Sequence, residues 1–214
     1  MAYTSIATDN FNRASLGANW SQQNAANAGN VQIDSSIRAH GQYNAQPTDQ
    51  HATAVWAGSG SFNDDQYSLA TLLTIDDLGT ANRVGVTTRA SGSAGTRTHY
   101  EAYVINNGVG NKTTHICRWV NGTRTALANT TVAWAANDTL RLVSIGTGHK
   151  VYRNDAEITA LAVTDSNITT GKPGISSTAG NYLDNWDGGN ITSGGGPLLG
   201  GPVRPRLTEG RLVA

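Results

Sequence analysis

The most constraining feature of this chain is a succession of short strand-like runs, separated by turn residues, from one end to the other. No segment shows an extended apolar period of 3.6 residues, which is the pattern of an amphipathic helix. Strong helix formers are also scarce, with three glutamates against 25 glycines. The pattern predicts strands at 31–40, 51–58, 66–75, 82–90, 97–106, 114–122, 123–132, 139–146, 149–158 and 182–188.

Two of these runs are nearly continuous in apolar residues, "SLATLLTI" (68–75) and "LRLVSI" (140–145). Such runs are typical of central strands that have a neighbour on both edges. The dipeptide Asn121–Gly122 between two runs predicts a hairpin with a type I′ turn, whose twist matches that of the strands. Ten or more short strands without intervening helices predict an all-β fold, a two-sheet antiparallel jelly-roll sandwich.

The composition changes at residue 193. The last 22 residues hold six of the 25 glycines and three of the five prolines, and they carry three arginines against one glutamate. We therefore predict a β-sandwich domain over 1–192 and an extended Gly/Pro-rich C-terminal arm over 193–214. The arm is either a solvated terminus or a segment that docks on a partner through Leu198, Leu199, Val203, Arg204, Arg206, Leu207 and Arg211.

Charge and hydropathy exclude several classes of protein. With 15 basic and 15 acidic residues the chain lacks the basic stripe of a nucleic-acid binder. No run approaches 18 apolar residues, so we expect no transmembrane span. The N-terminus has no basic stretch followed by an apolar run, so we expect no secretion signal. Cys117 is the only cysteine, so no intrachain disulfide can form.

Six stretches carry a family resemblance through their order: "DNFNRASLGANW" (9–20), 99–106, 115–128, 138–158, "TGKPGISST" (170–178) and "YLDNWDGG" (182–189). Together they resemble the concanavalin A-like lectin/glucanase superfamily, in its laminin-G-like bacterial and phage branch. The resemblance spans about 9–190 and implies one domain that opens with Asp-x-Phe-x-Arg and a tryptophan. It also implies a Gly-x-Pro-Gly-Ile turn, and a final strand that pairs near the start. This fold supports sugar binding, glycosidase catalysis and structural roles.

Glycosidases of this superfamily carry the strand motif Glu-x-Asp-x-x-Glu, which sets a nucleophile and an acid/base about 5 Å apart. Here Glu101, Glu157 and Glu209 are scattered, and the nearest acidic pair, Asp155 and Glu157, has the pattern of a hairpin turn. We therefore assign no catalytic residue. A glycoside hydrolase with an unrecognised site is the third of the functions considered.

Metal motifs are weak. The acidic pairs within 63–65 and at 76–77 predict turns or caps, although the resemblance allows a structural calcium there. The five histidines show no spacing of two or four residues, so local spacing predicts no zinc site. The stretch "NYLDNWDGGN" (181–190) departs from a calcium loop, since Trp186 stands at a ligand position. It predicts the closing strand, with Tyr182, Asp184 and Trp186 on one face and a turn at 187–189.

Strand alternation predicts a polar patch. His99, Glu101 and Tyr103 share one face of their strand, Arg89 lies on the predicted neighbour, and Arg118 is near. This patch is either a carbohydrate-binding surface or an ordinary solvated sheet face. Three tryptophans within framework motifs are predicted to anchor the core: Trp20, Trp56 and Trp186.

Two functions from different classes follow. The first is a non-catalytic virion structural protein, a phage capsid decoration or tail-associated protein. It would assemble in the host cytoplasm, in multiple copies or as a homo-oligomer, and its C-terminal arm would fasten it to capsid or tail proteins. The alternative is a lectin-like adhesion module that binds cell-surface glycans. Neither requires a cofactor, although the resemblance allows a structural calcium, and neither involves nucleic acid or a membrane.

Overall fold

The computed structural model describes residues 1–23, 29–42, 51–75, 82–93, 95–106 and 112–192, so the predicted arm at 193–214 lies outside the described residues. No helix in this part of the chain has the length and apolarity to cross a membrane. It forms a 3-10 turn at Thr159–Leu161 and strands β1 (Ala2–Asp9), β2 (Trp20–Gln22), β3 (Val31–Ile33), β4 (Ala39–Gly41), β5 (Ala52–Trp56), β6 (Gln66–Thr74), β7 (Arg83–Ser91), β8 (Thr98–Asn106), β9 (Lys112–Val120), β10 (Thr123–Thr131), β11 (Asp138–Ile145), β12 (Gly148–Arg153), β13 (Ala156–Glu157), β14 (Val163–Thr164), β15 (Lys172–Ser177) and β16 (Tyr182–Thr192).

These strands form two antiparallel sheets. One sheet has the order β13-β12-β11-β6-β16-β4-β3, with β1 added on β16 and β14 on β12. The other has the order β10-β9-β8-β7-β15-β5-β2, which makes it seven-stranded within the described residues. The predicted all-β sandwich of two antiparallel sheets is therefore confirmed.

The strongest local patterns predicted their elements correctly. The apolar runs form β6 and β11, which pair with each other and have a further neighbour on their outer edges. Asn121 and Gly122 form a two-residue loop between paired Val120 and Thr123. Their φ angles are +49° and +76°, and a positive φ at both central residues is the requirement of a type I′ turn.

The core lies between the sheets and ends in a group of indoles. Trp20 contacts Trp186 edge-on at 4.7 Å between ring centroids, and Trp56 stacks on Trp186 at 5.4 Å. All three are buried, which confirms that they anchor the core. Leucine and valine side chains from both sheets continue this cluster. Burial of these large side chains is the main favourable term for the fold.

Two predictions about the end of the domain were wrong in detail. The stretch that contains Pro173 is a strand, β15, between β7 and β5, and a register shift between Lys172 and Gly174 accommodates the missing proline N–H. The closing strand does not turn at 187–189 but continues to Thr192 as β16. The second half of β16 pairs with β1, so the prediction that the last strand pairs near the start of the chain is confirmed.

Candidate functional site

The seven-stranded sheet has a face turned away from the core, which we call the outer face. Alternation along β8 sends Tyr100, Ala102 and Val104 into the core, and His99, Glu101 and Tyr103 to the outer face. Cys117 and Trp119 of the neighbouring β9 lie on the outer face too. The predicted division of β8 between its two faces is therefore correct.

The predicted patch of five residues, however, is not an open surface. His99, Glu101 and Tyr103 are at most 1% exposed. Arg89 leaves this face of β7, because its left-handed backbone (φ +52°) and a register shift between Thr88 and Ser91 end the alternation. Its guanidinium donates to the carbonyl oxygens of residues 64, 146 and 168.

Arg118 is separated from the outer face as well. Its guanidinium pairs with the carboxylate of Asp165, which also accepts a hydrogen bond from Tyr100, a core residue. The structure thus brings together three of the five predicted residues, and places Arg89 and Arg118 in other surroundings.

Glu101 is the centre of a buried group on the outer face. Its Oε2 accepts hydrogen bonds from Trp119 Nε1 at 2.9 Å and from Cys117 Sγ at 3.5 Å. Its Oε1 lies 2.9 Å from His51 Nε2, and His51 precedes β5 in the chain. One potential ligand atom of each of His51, His99 and Glu101 lies within 4.8 Å of the others. We call these three residues the His–Glu cluster.

Arginine and aromatic side chains surround this cluster. The Arg97 guanidinium lies 3.7 Å from the centroid of the Trp119 ring, and that of Arg83 lies 4.5 Å from the centroid of the Tyr103 ring. Arg97 also donates to the backbone oxygen of His51 at 3.1 Å. Guanidinium groups over aromatic faces gain cation–π attraction, particularly where water is excluded.

Burial sets the protonation states of the cluster. Burial, together with the positive charge of Arg97, lowers the pKa of His51 to about 4 and that of His99 to about 3. Burial opposes the charge on Glu101, but the contact with His51 and the positive charge of Arg83 outweigh it and hold the pKa of that carboxyl well below its usual range. At neutral pH the cluster therefore holds two neutral imidazoles and one carboxylate.

A second polar region lies where β1 ends and β16 bends. It is an open cleft of about 570 Å³, which we call the strand-end cleft, lined by Thr8, Asp9, Asn10, Arg13, Asn19, Trp56, Asn185, Trp186 and Asp187. Sequence reasoning missed it, because its residues belong to separate framework motifs. The one available signal was the echo between "TDNFN" (8–12) and "LDNWD" (183–187), which the pairing of β1 with β16 explains.

The Asp-x-Phe-x-Arg motif builds one wall of this cleft. Asp9 accepts hydrogen bonds from both terminal nitrogens of Arg13 at 2.6 Å, from Trp20 Nε1 at 2.7 Å and from the Phe11 backbone N–H at 2.8 Å. Burial would raise the pKa of Asp9, but these donors, Arg13 first, lower it below its ordinary value. The motif therefore fixes a planar, charged pair at the rim of a core tryptophan.

A β-bulge builds the other wall. Asn185 has a φ of +49°, and the register of β16 against β6 shifts between Asp184 and Asp187. Because of this shift, Leu183 and Trp186 both enter the core, and the predicted common face of Tyr182, Asp184 and Trp186 is wrong. The bulge leaves the Asn185 side chain exposed at the cleft.

The other acidic residues considered in the sequence analysis lie in turns or form ion pairs, as far as the structure describes them. Asp155 lies in the two-residue loop between β12 and β13 and pairs with Arg141, whereas Glu157 pairs with Lys150 at 2.9 Å. Asp65 accepts a hydrogen bond from the Gly146 N–H, as expected for a capping residue. The pair at 76–77 lies outside the described residues.

Comparisons with known proteins agree with this architecture. No protein-family model and no curated protein matches the sequence. Among solved structures, the carbohydrate-binding module CBM66 from Bacillus subtilis superposes with a TM-score of 0.56 and 16% identity, over 80% of this chain and 96% of that one. The CBM2 module of the evolved Dit of Lactobacillus casei BL23 phage J-1 superposes with a TM-score of 0.54 and 10% identity, over 89% of this chain and 97% of that one.

A Bacillus licheniformis beta-glucanase superposes with a TM-score of 0.51 and 10% identity, over 88% of this chain and 99% of that one. These solved structures span lectin-like modules and a glycosidase, and at such identities they establish the fold alone. The chain therefore has the concanavalin A-like jelly-roll fold of lectins and glucanases, as its sequence predicted.

Proposed function

We propose that this protein is a non-catalytic carbohydrate-binding module and that a sugar occupies the strand-end cleft. The observation that carries the proposal is a set of unengaged side-chain amides in an open cleft beside buried indoles. Asn19 and Asn185 are exposed and make no side-chain hydrogen bond to the described residues. Their amides offer donors and acceptors to a ligand rather than to the protein.

The chemistry of the cleft suits a neutral polyol. Adjacent sugar hydroxyls both donate and accept, and the cleft offers the amides of Asn10, Asn19 and Asn185 together with the Asp187 carboxylate. Trp56 and Trp186 line the cleft but are only 7% and 1% exposed, so they form its apolar floor and leave the direct contacts with a sugar to the amides. The volume of about 570 Å³ is within the usual range of small-molecule sites.

The carboxylates support binding rather than hydrolysis. A retaining glycosidase needs two carboxyl groups about 5 Å apart that are free to attack and to donate a proton. Both oxygens of Asp9 are committed to Arg13 and Trp20, and those of Asp187 accept from Ser5 and Tyr67. On the outer face, Glu101 is fully buried, and its oxygens contact Trp119, Cys117 and His51.

The burial of His99, Glu101 and Tyr103 favours the cleft over the predicted patch as the sugar site, because a glycan needs an accessible surface. A test on a glycan array compares the wild-type chain with Asn185→Gly. Glycine keeps the positive φ without strain, so the substitution removes only the amide. We expect the array signal to fall about tenfold, the equivalent of one or two lost hydrogen bonds.

The matched control is Asn121→Gly, which makes the same change at the same φ of +49° in the exposed turn between β9 and β10. It should bind like the wild type. An absence of signal from any glycan, or an equal loss in both variants, would contradict a sugar site in the cleft.

We also propose that the module is part of a virion, as a capsid decoration or tail-associated protein in several copies. The likeness to a module of a phage Dit favours this role, and the Gly/Pro-rich arm provides a segment for attachment. The test is co-purification of the tagged full chain with capsid or tail proteins, compared with a chain that ends at residue 192. Capture that requires residues 193–214 supports the proposal. Failure of the full chain to capture such proteins contradicts it.

A further inference from the structure

The His–Glu cluster brings together two imidazoles and one carboxylate, and both ligand types are common at transition-metal sites in proteins. All three side chains are 0% exposed. His99 and Glu101 are two residues apart on one face of β8, and His51 reaches them from the start of β5, two strands beyond the neighbouring β7. The set is therefore held by separate strands of one sheet, which gives it a rigid frame.

The orientation of Glu101 is fixed from behind. Trp119 Nε1 and Cys117 Sγ donate to Oε2, and this turns Oε1 towards the imidazoles, 2.9 Å from His51 Nε2. Two ligand atoms about 3 Å apart are in the spacing expected around a metal with bonds of about 2.0–2.2 Å. The indole thus acts as the outer partner that metal-bound carboxylates usually have.

His99 supplies an independent observation. Within the described residues, neither Nδ1 nor Nε2 of its fully buried ring has a hydrogen-bond partner. Buried polar atoms are almost always paired, so a ring with two unpaired nitrogens indicates a missing ligand. One of these nitrogens lies within 4.8 Å of ligand atoms of both His51 and Glu101.

We propose that His51, His99 and Glu101 bind one divalent transition-metal ion on the outer face of the seven-stranded sheet. Two imidazole nitrogens and one carboxylate oxygen form a set that suits zinc and its neighbours, and three protein ligands leave at least one coordination position for another donor.

The charge around the cluster narrows the choice of metal. Arg97 donates to the backbone oxygen of His51 and lies over the Trp119 ring. Arg83 lies over the Tyr103 ring, so both guanidinium groups repel a cation in the cluster. A hard cation such as Ca²⁺ binds through several charged oxygens, and the cluster offers one carboxylate. Zinc gains most from the neutral imidazoles, so the site should take Zn²⁺ and reject Ca²⁺ and Mg²⁺. The structural calcium that the sequence allowed is a separate prediction about other residues.

This proposal is independent of sugar binding, and its test needs no glycan. The full-length chain is freed of metal with a chelator, exposed to Zn²⁺ in the presence of excess Ca²⁺ and Mg²⁺, and gel-filtered. Metal content and competition with a chromophoric chelator then give stoichiometry and affinity. We expect one tightly held zinc per chain, and a visible ligand-field spectrum when Co²⁺ replaces zinc.

Three variants distinguish a loss of zinc binding at the cluster from the general destabilisation that any buried substitution can cause. His99→Gln should abolish the tight site. Trp119→Phe keeps a ring beneath Arg97 but removes the N–H that orients Glu101, and should weaken zinc binding about 10- to 100-fold. The control His149→Gln alters another fully buried histidine, which bonds to Ser144 Oγ and to the Asp165 carbonyl instead. It should bind zinc as the wild type does.

The same zinc content in the wild type and in His99→Gln would overturn the proposal, because that metal would be adventitious. A wild-type chain that retains no zinc would overturn it too. Should His99→Gln fail to fold, the comparison of Trp119→Phe with His149→Gln decides, and equal affinities there would contradict a site at the cluster.

Discussion

The His–Glu cluster and the strand-end cleft are built from similar polar groups at opposite degrees of burial. His51, His99 and Glu101 are fully buried, whereas Asn10, Asn19 and Asn185 are exposed. Burial fixes the protonation state and position of the cluster, so it can hold only a small ion. Exposure leaves the cleft amides available to a larger, neutral ligand. Burial therefore determines which ligand class each region can accept.

The largest expected difference between the regions is in stability. Glu101→Gln removes the carboxylate that balances the positive charge of the buried Arg83, and loss of one partner in a buried charged group typically costs about 3–5 kcal/mol. The corresponding change in the cleft is Asp187→Asn, at a partly exposed carboxylate that accepts from Ser5 and Tyr67. It should cost about 1 kcal/mol or less. Urea denaturation of the metal-free variants measures both, and equal losses would contradict the contrast.

The second difference is the pH range in which each region affects stability. Burial depresses the folded-state pKa of His51 to about 4 and of His99 to about 3, below the ordinary 6.5. Between these values the unfolded chain binds more protons than the folded chain, so stability falls as the pH is lowered from about 6.5. Each histidine adds up to about 1.4 kcal/mol per pH unit to this slope.

His99→Gln should therefore flatten the stability curve of metal-free protein between pH 4 and 6.5. Asp9 affects the stability of the folded chain in a lower pH range. Its depressed pKa contributes stability that is present above the ordinary value of 3.8 and is lost as the pH falls through the folded-state pKa. Asp9→Asn should therefore change the slope only below about pH 4. An unchanged slope in His99→Gln above pH 4 would show that the ring is not buried in its neutral form.

A smaller effect concerns the bulge that shapes the cleft. Asn185→Val places a β-branched residue at a φ of +49°, which costs about 1–2 kcal/mol. Asn185→Gly fits this backbone and should change the free energy of unfolding by less than about 0.5 kcal/mol. Thermal unfolding of both variants measures the difference. Equal stability would mean that the left-handed bulge is absent.

The sequence predicted those features that depend on local, uninterrupted patterns. Alternation along β8 placed Glu101 and Tyr100 on the correct faces, and Asn121–Gly122 predicted its hairpin. Alternation failed at Arg89 and Asn185, because one left-handed residue shifts the register and reverses the faces that follow. A bulge depends on how the neighbouring strands pair, so no local sequence pattern predicts it.

The predicted patch contained His99 and Glu101, but the sequence predicted neither the complete His–Glu cluster nor the cleft, for a related reason. A search for closely spaced histidines cannot find the His–Glu cluster, because His51 comes from another strand and Glu101 is the third member. The one local signal was His99-x-Glu101 on a single face. The cleft likewise joins Asp9 to Asn185, which are distant in sequence and adjacent only because β1 pairs with β16.

The indole N–H signals in a ¹⁵N–¹H NMR spectrum test the division between the two regions most directly. Trp56 and Trp186 line the strand-end cleft, whereas Trp119 contacts Glu101 on the outer face. On addition of the glycan that binds most strongly on the array, we predict shifts for Trp56 and Trp186 and none for Trp119. A shift confined to Trp119 would move the sugar site to the outer face and contradict the account.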